Sequence, residues 1–258
     1  MKRRDFNQSL LTSVAATSLT GLSASLTAAE PASTYTNGNL ISPDIFVSDK
    51  QGSNISLRSL FGDDSDIRLN VLYIFGGGDM GSGQTGHLWC QDSFEDSHIL
   101  RTLVGKYQDQ GVKFIPVAAA PVYHSEFLGF PARVFLDEDE ASEAFKQAEQ
   151  AFIDSTLAAF ESGILPIEPY FDSRLRLMMN RSAELLPGSA YGDIAPWQGA
   201  FRAADETQFY GVPSFWVISN DGQIMAEPLR GNIYHPHGGK VNINYSFSDL
   251  DALLQGLL

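Results

Sequence analysis

Residues 68–93 read RLNVLYIF GGGDMGSGQTG HLWCQDS, from Arg68 through Cys90 to Ser93. Arg68 to Phe75 is a short apolar run of the length and composition of a buried strand. The eleven residues Gly76–Gly86 hold six glycines, which forces a loop. After Cys90, the residues Phe94, Ile99, Leu100, Leu103, Val104 and Tyr107 recur at helical spacing, and Gly111 ends the pattern. Val112–Ala120 (VKFIPVAAA) is a second apolar strand, irregular only at Pro116. Strand, loop, helix and strand in this order predict a right-handed parallel crossover in an α/β sheet. Cys90 then stands at the start of the helix.

On the N-terminal side, Ile45-Phe46-Val47 and Ile55-Ser56-Leu57 flank Asp49-Lys50-Gln51-Gly52, a hairpin turn by composition. On the C-terminal side, Ser214–Ser219 (SFWVIS), Asn220-Asp221-Gly222 and Gln223–Glu227 predict a second hairpin. Phe247–Leu258 closes the chain as a helix, with Ser248 read as its cap. Between the two halves, Asp137–Glu161 predicts an amphipathic helix with Phe145, Ala148 and Phe152 on its apolar face. Arg174–Leu186 and Pro196–Tyr210 are further helical candidates. The expected architecture is α/β: a central mixed sheet flanked by helices, with an N-terminal β-hairpin and a helical insertion at about 121–204.

The first 29 residues read as an address. Lys2-Arg3-Arg4-Asp5-Phe6 is followed by a mildly apolar stretch from Leu10 to Leu26 and by the small residues Thr27-Ala28-Ala29. Those are the three parts of an export signal. The paired arginines resemble a bacterial twin-arginine leader. The stretch is rich in Ser, Thr and Gly, so a stable membrane span is not expected, and no later segment has about 18 consecutive apolar residues. Periplasmic or extracellular work is the expectation, with residues 30–258 as the mature domain. Cleavage takes the formal charge from −14 to −16. So acidic a chain is a poor nucleic-acid ligand, because the phosphate charge opposes it. Cys90 is the one cysteine, which excludes an intrachain disulfide and a cysteine-rich zinc site.

Taken together, Trp89-Cys90-Gln91-Asp92-Ser93 at a helix start, the Pro43–Leu57 hairpin and Tyr210-Gly211-Val212-Pro213 before a strand resemble the thioredoxin superfamily. The likeness covers about residues 40–120 and 205–258. It is greatest to the redoxin branch of thiol-disulfide exchange proteins and peroxiredoxins. The resemblance implies a thioredoxin-like fold and thiol-dependent oxidoreductase or antioxidant chemistry. It also implies a cis bond before Pro213, whose loop lies against Cys90 and presents backbone groups to an extended partner. Thiol or disulfide proteins and small thiol reductants are the implied partners, and no cofactor is implied.

The residues support and modify that expectation. Thiolate is the reactive form of cysteine, and a helix N-terminus favours it by about 0.3–1 kcal/mol. His87 could pair with the thiolate, whereas Asp92, Glu95 and Asp96 oppose ionised sulfur. Ser93 stands where the dithiol motif has its second cysteine, so Ser93 is a donor to sulfur and any mixed disulfide needs an outside thiol for release. Peroxiredoxins carry a threonine three residues before the cysteine and a proline seven before; His87 and Gly83 stand there. These departures weigh against peroxidase chemistry, and one-cysteine peroxide reduction through sulfenic acid stands only beside disulfide exchange as the other branch of the expectation. Two other classes stay open. One is a non-catalytic binding module that uses the insertion. The other is a metal site built from Cys90, His235 and His237. Gly81–Gly86 spells a dinucleotide-type glycine pattern, but it does not follow its strand directly and no acidic residue ends the next strand.

Overall fold

The computed structural model describes residues 40–41, 43–62, 65–78, 87–121, 138–174, 212–226, 228–230 and 245–258, with a few isolated positions besides. The leader, the loop 79–86, most of 175–211 and both His235 and His237 lie outside the described residues.

The two strands predicted around Cys90 are present as β3 (Leu69–Gly76) and β4 (Val112–Ala119). They pair in parallel, with Leu69 opposite Val112 and Gly76 opposite Ala119. Helix α1 (Gln91–Tyr107) is the crossover between them. A 3-10 turn at Gln108–Gln110 and Gly111 at φ 86° return the chain to β4. All eight β3 residues are buried, as expected of a strand covered on both faces. Pro116 falls where β4 has only β3 as a paired neighbour, so its missing N–H leaves the ladder on the other side intact.

β1 (Phe46–Ser48) and β2 (Asn54–Ser56) form the expected hairpin. Its turn is an Asx motif: the Asp49 carboxylate accepts from the Gln51 and Ser53 amides, and Gly52 has φ 77°. In the insertion, helix α2 (Glu143–Glu161) begins six residues later than the sequence pattern suggests. The Ser142 hydroxyl accepts from the Phe145 amide and fixes that start, which leaves the acidic residues 138–140 outside the helix. A short strand not foreseen from sequence, β5 (Tyr170–Asp172), follows α2 and pairs in parallel with β4. Arg174, expected to open a helix, is in a turn, and most of 175–211 is outside the described residues.

β6 (Ser214–Ile218) lies antiparallel to β3, and β7 (Leu229–Arg230) lies antiparallel to β6. The predicted second arm returns past the Asn220-Asp221-Gly222 turn as an isolated bridge, Ile218 to Ile224, with backbone bonds from Ser219 to Gln223 and from Met225 to Val217, while Gln223 also bridges Leu40. A separate ribbon, β8 (Ile233–Tyr234) with β9 (Lys240–Val241), precedes the last helix, α3 (Phe247–Leu257). The cap of α3 is Ser246, not Ser248. Ser246 is extended, its hydroxyl accepts from the Asp249 amide, and Asp249 reaches back to the Ser246 amide. Replacing Ser246 by alanine is expected to lower stability by about 1 kcal/mol, read as a shift in the urea midpoint at constant slope.

The seven-stranded sheet has the order β2-β1-β5-β4-β3-β6-β7. Its block β4-β3-β6-β7, with α1 between β3 and β4 and α3 at the end, is the thioredoxin-like α/β arrangement. α1 and α3 lie together, since the Tyr107 hydroxyl donates to an Asp251 carboxylate oxygen at 2.7 Å. Among the described residues no helix is long and apolar enough to cross a membrane.

Candidate functional site

The site begins where β3 runs out into glycine. A side chain at Gly76 would overlap the Cys90 Cβ and come within 2.7 Å of the Trp89 ring. At Gly77 it would meet the Ala118 Cβ at 2.6 Å and Thr156 of α2. Successive residues of a strand face opposite ways, so the two glycines admit α1 on one face and α2 on the other. The Trp89 indole N–H donates to the Ala119 carbonyl at 2.9 Å, and Leu88 bridges Gly78. The chain is thereby pinned to the end of β4 one residue before the cysteine.

Cys90 is the N-cap residue of α1, with extended backbone and no capping bond from its side chain. Its residue is half-buried and its thiol free. Sγ lies 3.7 Å from the Val212 carbonyl oxygen, to which the S–H donates. The Val212–Pro213 peptide bond is cis, and Ser214 then opens β6. The structure thus brings Cys90, Ser93 and the residue before Pro213 together. Ser93 is fully buried; its hydroxyl accepts from the Gly76 amide at 3.0 Å. Its proton and its amide serve the Cys90 sulfur.

Burial nevertheless pushes the Cys90 thiol up, from 9.0 to about 11. The hydroxyl and amide of Ser93 oppose that rise, and the Asp92 charge adds to it. The favourable helix terminus is therefore outweighed by desolvation. Asp92 is itself shifted upward, by burial and by Glu95.

The fold gives Asp96 of α1 a partner that the sequence pattern did not single out. Asp96 is buried, and it accepts a hydrogen bond from the hydroxyl of Tyr245, also buried. Tyr73 of β3 is fully buried and donates to the Ser93 carbonyl at 3.3 Å. The rings of Tyr73, Phe215 and Tyr245 follow one another at 4.5 and 5.4 Å. Burial raises Asp96 to about 6, against the bond from Tyr245, and raises both phenols well above their usual range. Tyr245 carries no motif that would have marked it; it is a tyrosine just before a helix cap, 149 residues from its partner.

His87 is exposed and occupies the left-handed region at φ 69°. Of the candidate metal set only Cys90 is within the described residues, and among those no group of three His, Cys, Asp or Glu side chains converges as a metal site.

No known family's sequence profile matches the chain, and no curated protein matches it either. Solved structures similar to it include peroxidoxin BcpB from Mycobacterium tuberculosis, at 13% identity and TM-score 0.42, covering 86% of this chain and 96% of that one. A thiol:disulfide interchange protein of the thioredoxin family from Chlorobium tepidum is 14% identical at TM-score 0.36, covering 87% and 96%. An uncharacterized conserved protein from Geobacillus kaustophilus is 15% identical at TM-score 0.40, covering 86% and 84%.

Proposed function

We propose that the protein is an exported thiol-dependent oxidoreductase in which Cys90 acts as a lone nucleophile in thiol-disulfide exchange. The observation that carries this reading is the Cys90 sulfur at the N-terminus of α1, half-buried and 3.7 Å from the Val212 carbonyl beside Pro213. A backbone carbonyl whose bond is the weak one from the thiol itself gives an extended partner a place to hydrogen-bond while its disulfide meets the sulfur.

In the reaction, the Cys90 S–H loses its proton to solvent. The thiolate attacks one sulfur of a partner disulfide, and the S–S bond breaks. One half leaves as a thiolate, and the other stays bonded to Cys90 as a mixed disulfide. An outside thiolate then attacks the mixed disulfide, takes the bound half and returns Cys90 to thiolate. No net electrons are gained or lost by the protein. Ser93 stabilises the departing and returning charge on sulfur. Pro213 shapes the groove, and His87 modulates the thiol from the exposed turn. Thiols that ionise at high pH are poor leaving groups, so the mixed disulfide is long-lived. Disulfide exchange is preferred to peroxide reduction because the group facing the sulfur from the turn before β6, the Val212 carbonyl, is an acceptor and not a donor. The leader 1–29 delivers residues 30–258 to the periplasm or cell exterior, where disulfide partners are found.

The upward shift of the thiol favours a second reading, a binding module in which Cys90 only packs. Treating the mature protein with the neutral reagent bis(2-hydroxyethyl) disulfide separates the two. Exchange predicts one adduct per chain, on Cys90, released by added thiol. Its rate rises about tenfold per pH unit from neutrality and levels off only near the thiol's raised ionisation point. If the native chain forms the adduct more slowly than the denatured chain at every pH, Cys90 is a packing residue. Sulfenic acid formed with hydrogen peroxide, in place of an adduct, would move the reading to one-cysteine peroxide reduction.

A further inference from the structure

We infer that the cavity at the carboxyl end of β5, between the β1–β2 hairpin and the first turns of α2, is a binding site for a neutral, polyhydroxylated small molecule of the size of a single sugar ring. The site is separate from Cys90, and the inference stands whether or not that residue is the working one.

The cavity has a volume of about 240 Å³ and is walled by the hairpin, the first turns of α2 and the residues that end and follow β5. Strand pairing places it. Gly76 of β3 is level with Ala119 of β4, and Ala119 is level with Asp172, the last residue of β5. The cavity therefore lies at the same end of the sheet as Cys90, two strands away, which is about 10 Å at the spacing of a sheet. The carboxyl ends of parallel strands are where open α/β sheets hold their ligands. Ser48 of β1 pairs antiparallel with Phe171, so the hairpin carries Phe46 toward Ser173.

The wall contains an unmet hydrogen bond. Ser173 is 4% exposed, and its buried hydroxyl has no partner among the described residues. Folded proteins rarely leave a buried hydroxyl unpaired, and where they do a bound molecule is the usual complement. The charged groups around it, by contrast, are satisfied. Arg174 donates through Nε to Glu140 at 2.7 Å and through Nη1 to the carbonyls of Phe135 and Glu138, and its guanidinium lies 4.1 Å from the Phe145 ring centroid. The Asp172 carboxylate is buried and accepts from the Leu177 amide at 2.6 Å. Lys146 pairs with Glu143 at 3.3 Å, and Glu149 is exposed to water. An ion entering the cavity would shed its own water and find no buried charge unmatched. A neutral hydroxyl sheds less, and it can either donate to Ser173 or accept from it.

The rest of the wall extends the match from one hydroxyl to several. The Nη2 donors of Arg174 make none of the bonds above, and the Asn54 amide and the Glu149 carboxylate belong to the same wall. Beside them is Phe46, whose ring is 38% exposed. Mixed donors and acceptors next to an aromatic surface suit a ring with hydroxyls at its rim and C–H groups on its faces. The volume is below the range of about 300–1,000 Å³ that drug-sized ligands occupy, so the occupant is small.

The test is heteronuclear NMR of the mature chain titrated with glucose as the neutral probe, and with glucuronate and glucosamine as its anionic and cationic counterparts. Glucose is expected to bind saturably, with Kd in the millimolar range or tighter, and to shift amides of 46–54, 145–149 and 172–174. Each charged probe should bind at least about fivefold more weakly, since its charge is desolvated without a partner. Ser173→Ala should weaken glucose binding by about fivefold, the worth of one net hydrogen bond. It should leave the urea midpoint equal or higher, because it removes an unpaired buried group. Lys50→Ala is the control: it breaks the Lys50–Glu168 pair on the same hairpin, outside the cavity wall, and should not change binding.

No saturable glucose binding, or shifts confined to other residues, overturns the proposal. So does a charged probe that binds as tightly as glucose, or Ser173→Ala binding glucose like the native chain. A lowered midpoint in Ser173→Ala would show that the fold itself already bonds the hydroxyl, and an equal loss of binding in Lys50→Ala would make loosening of the hairpin the cause; either result also overturns it.

Discussion

Replacing Phe152 by alanine is expected to lower stability by about 4 kcal/mol, a large share of the 5–15 kcal/mol that folded domains of this kind possess. Phe152 belongs to α2, the helix of the insertion, and is fully buried. Its ring meets Phe135 and Phe171 in T-shaped contacts, each at 5.8 Å between centroids. It also packs against Gly78, where a side chain would come within 2.9 Å of it. Truncation removes an aromatic ring from a site walled by two others and by backbone, which has little freedom to collapse. Denaturant unfolding measures the loss. A cost under about 1 kcal/mol would mean that α2 does not share the core of the sheet.

Gly76→Ala is the second large effect, expected to cost about 2–3 kcal/mol by overpacking. The new methyl would collide with the Cys90 Cβ and the Trp89 ring, and neither is the far end of a flexible chain. Trp89 is held by its bond to Ala119, so Cys90 and the first turn of α1 must give way. The expected result is a lower unfolding midpoint together with loss of the native pH dependence of Cys90 labelling. Gly105→Ala is the contrast. Gly105 is also a glycine of α1 but has nothing within 4 Å of an added methyl, so it should gain about 0.5–1 kcal/mol. Equal behaviour of the two variants would show that Gly76 does not hold the site.

Hydrophobic period made the centre of the fold legible. β3, α1 and β4 came within a residue or two of their observed limits because an apolar run, a glycine loop and a 3.6-residue repeat each point to one structure. The hairpins followed from Asp49–Gly52 and Asn220–Gly222, whose turn chemistry is local. Elements set by distant partners were harder to read. β5 is three residues long and exists because β4 and β1 flank it, so no pattern of its own announces it. The start of α2 depends on which of several polar residues caps it, and Ser142 prevails over the acidic run. Ser246 prevails over Ser248 because Asp249 completes a reciprocal bond with it. The placement of Cys90 at a helix start was legible, but the balance of forces on its proton was not. That balance turns on burial first and on the bonds from Ser93, both properties of the folded chain.

Among the described residues the two outermost strands are very short: β2 has three residues and β7 has two. A flank of that length offers an incoming strand too few unpaired amides and carbonyls to nucleate a shared ladder. The sheet is thus blunted at both margins, and polymerisation by strand addition is disfavoured.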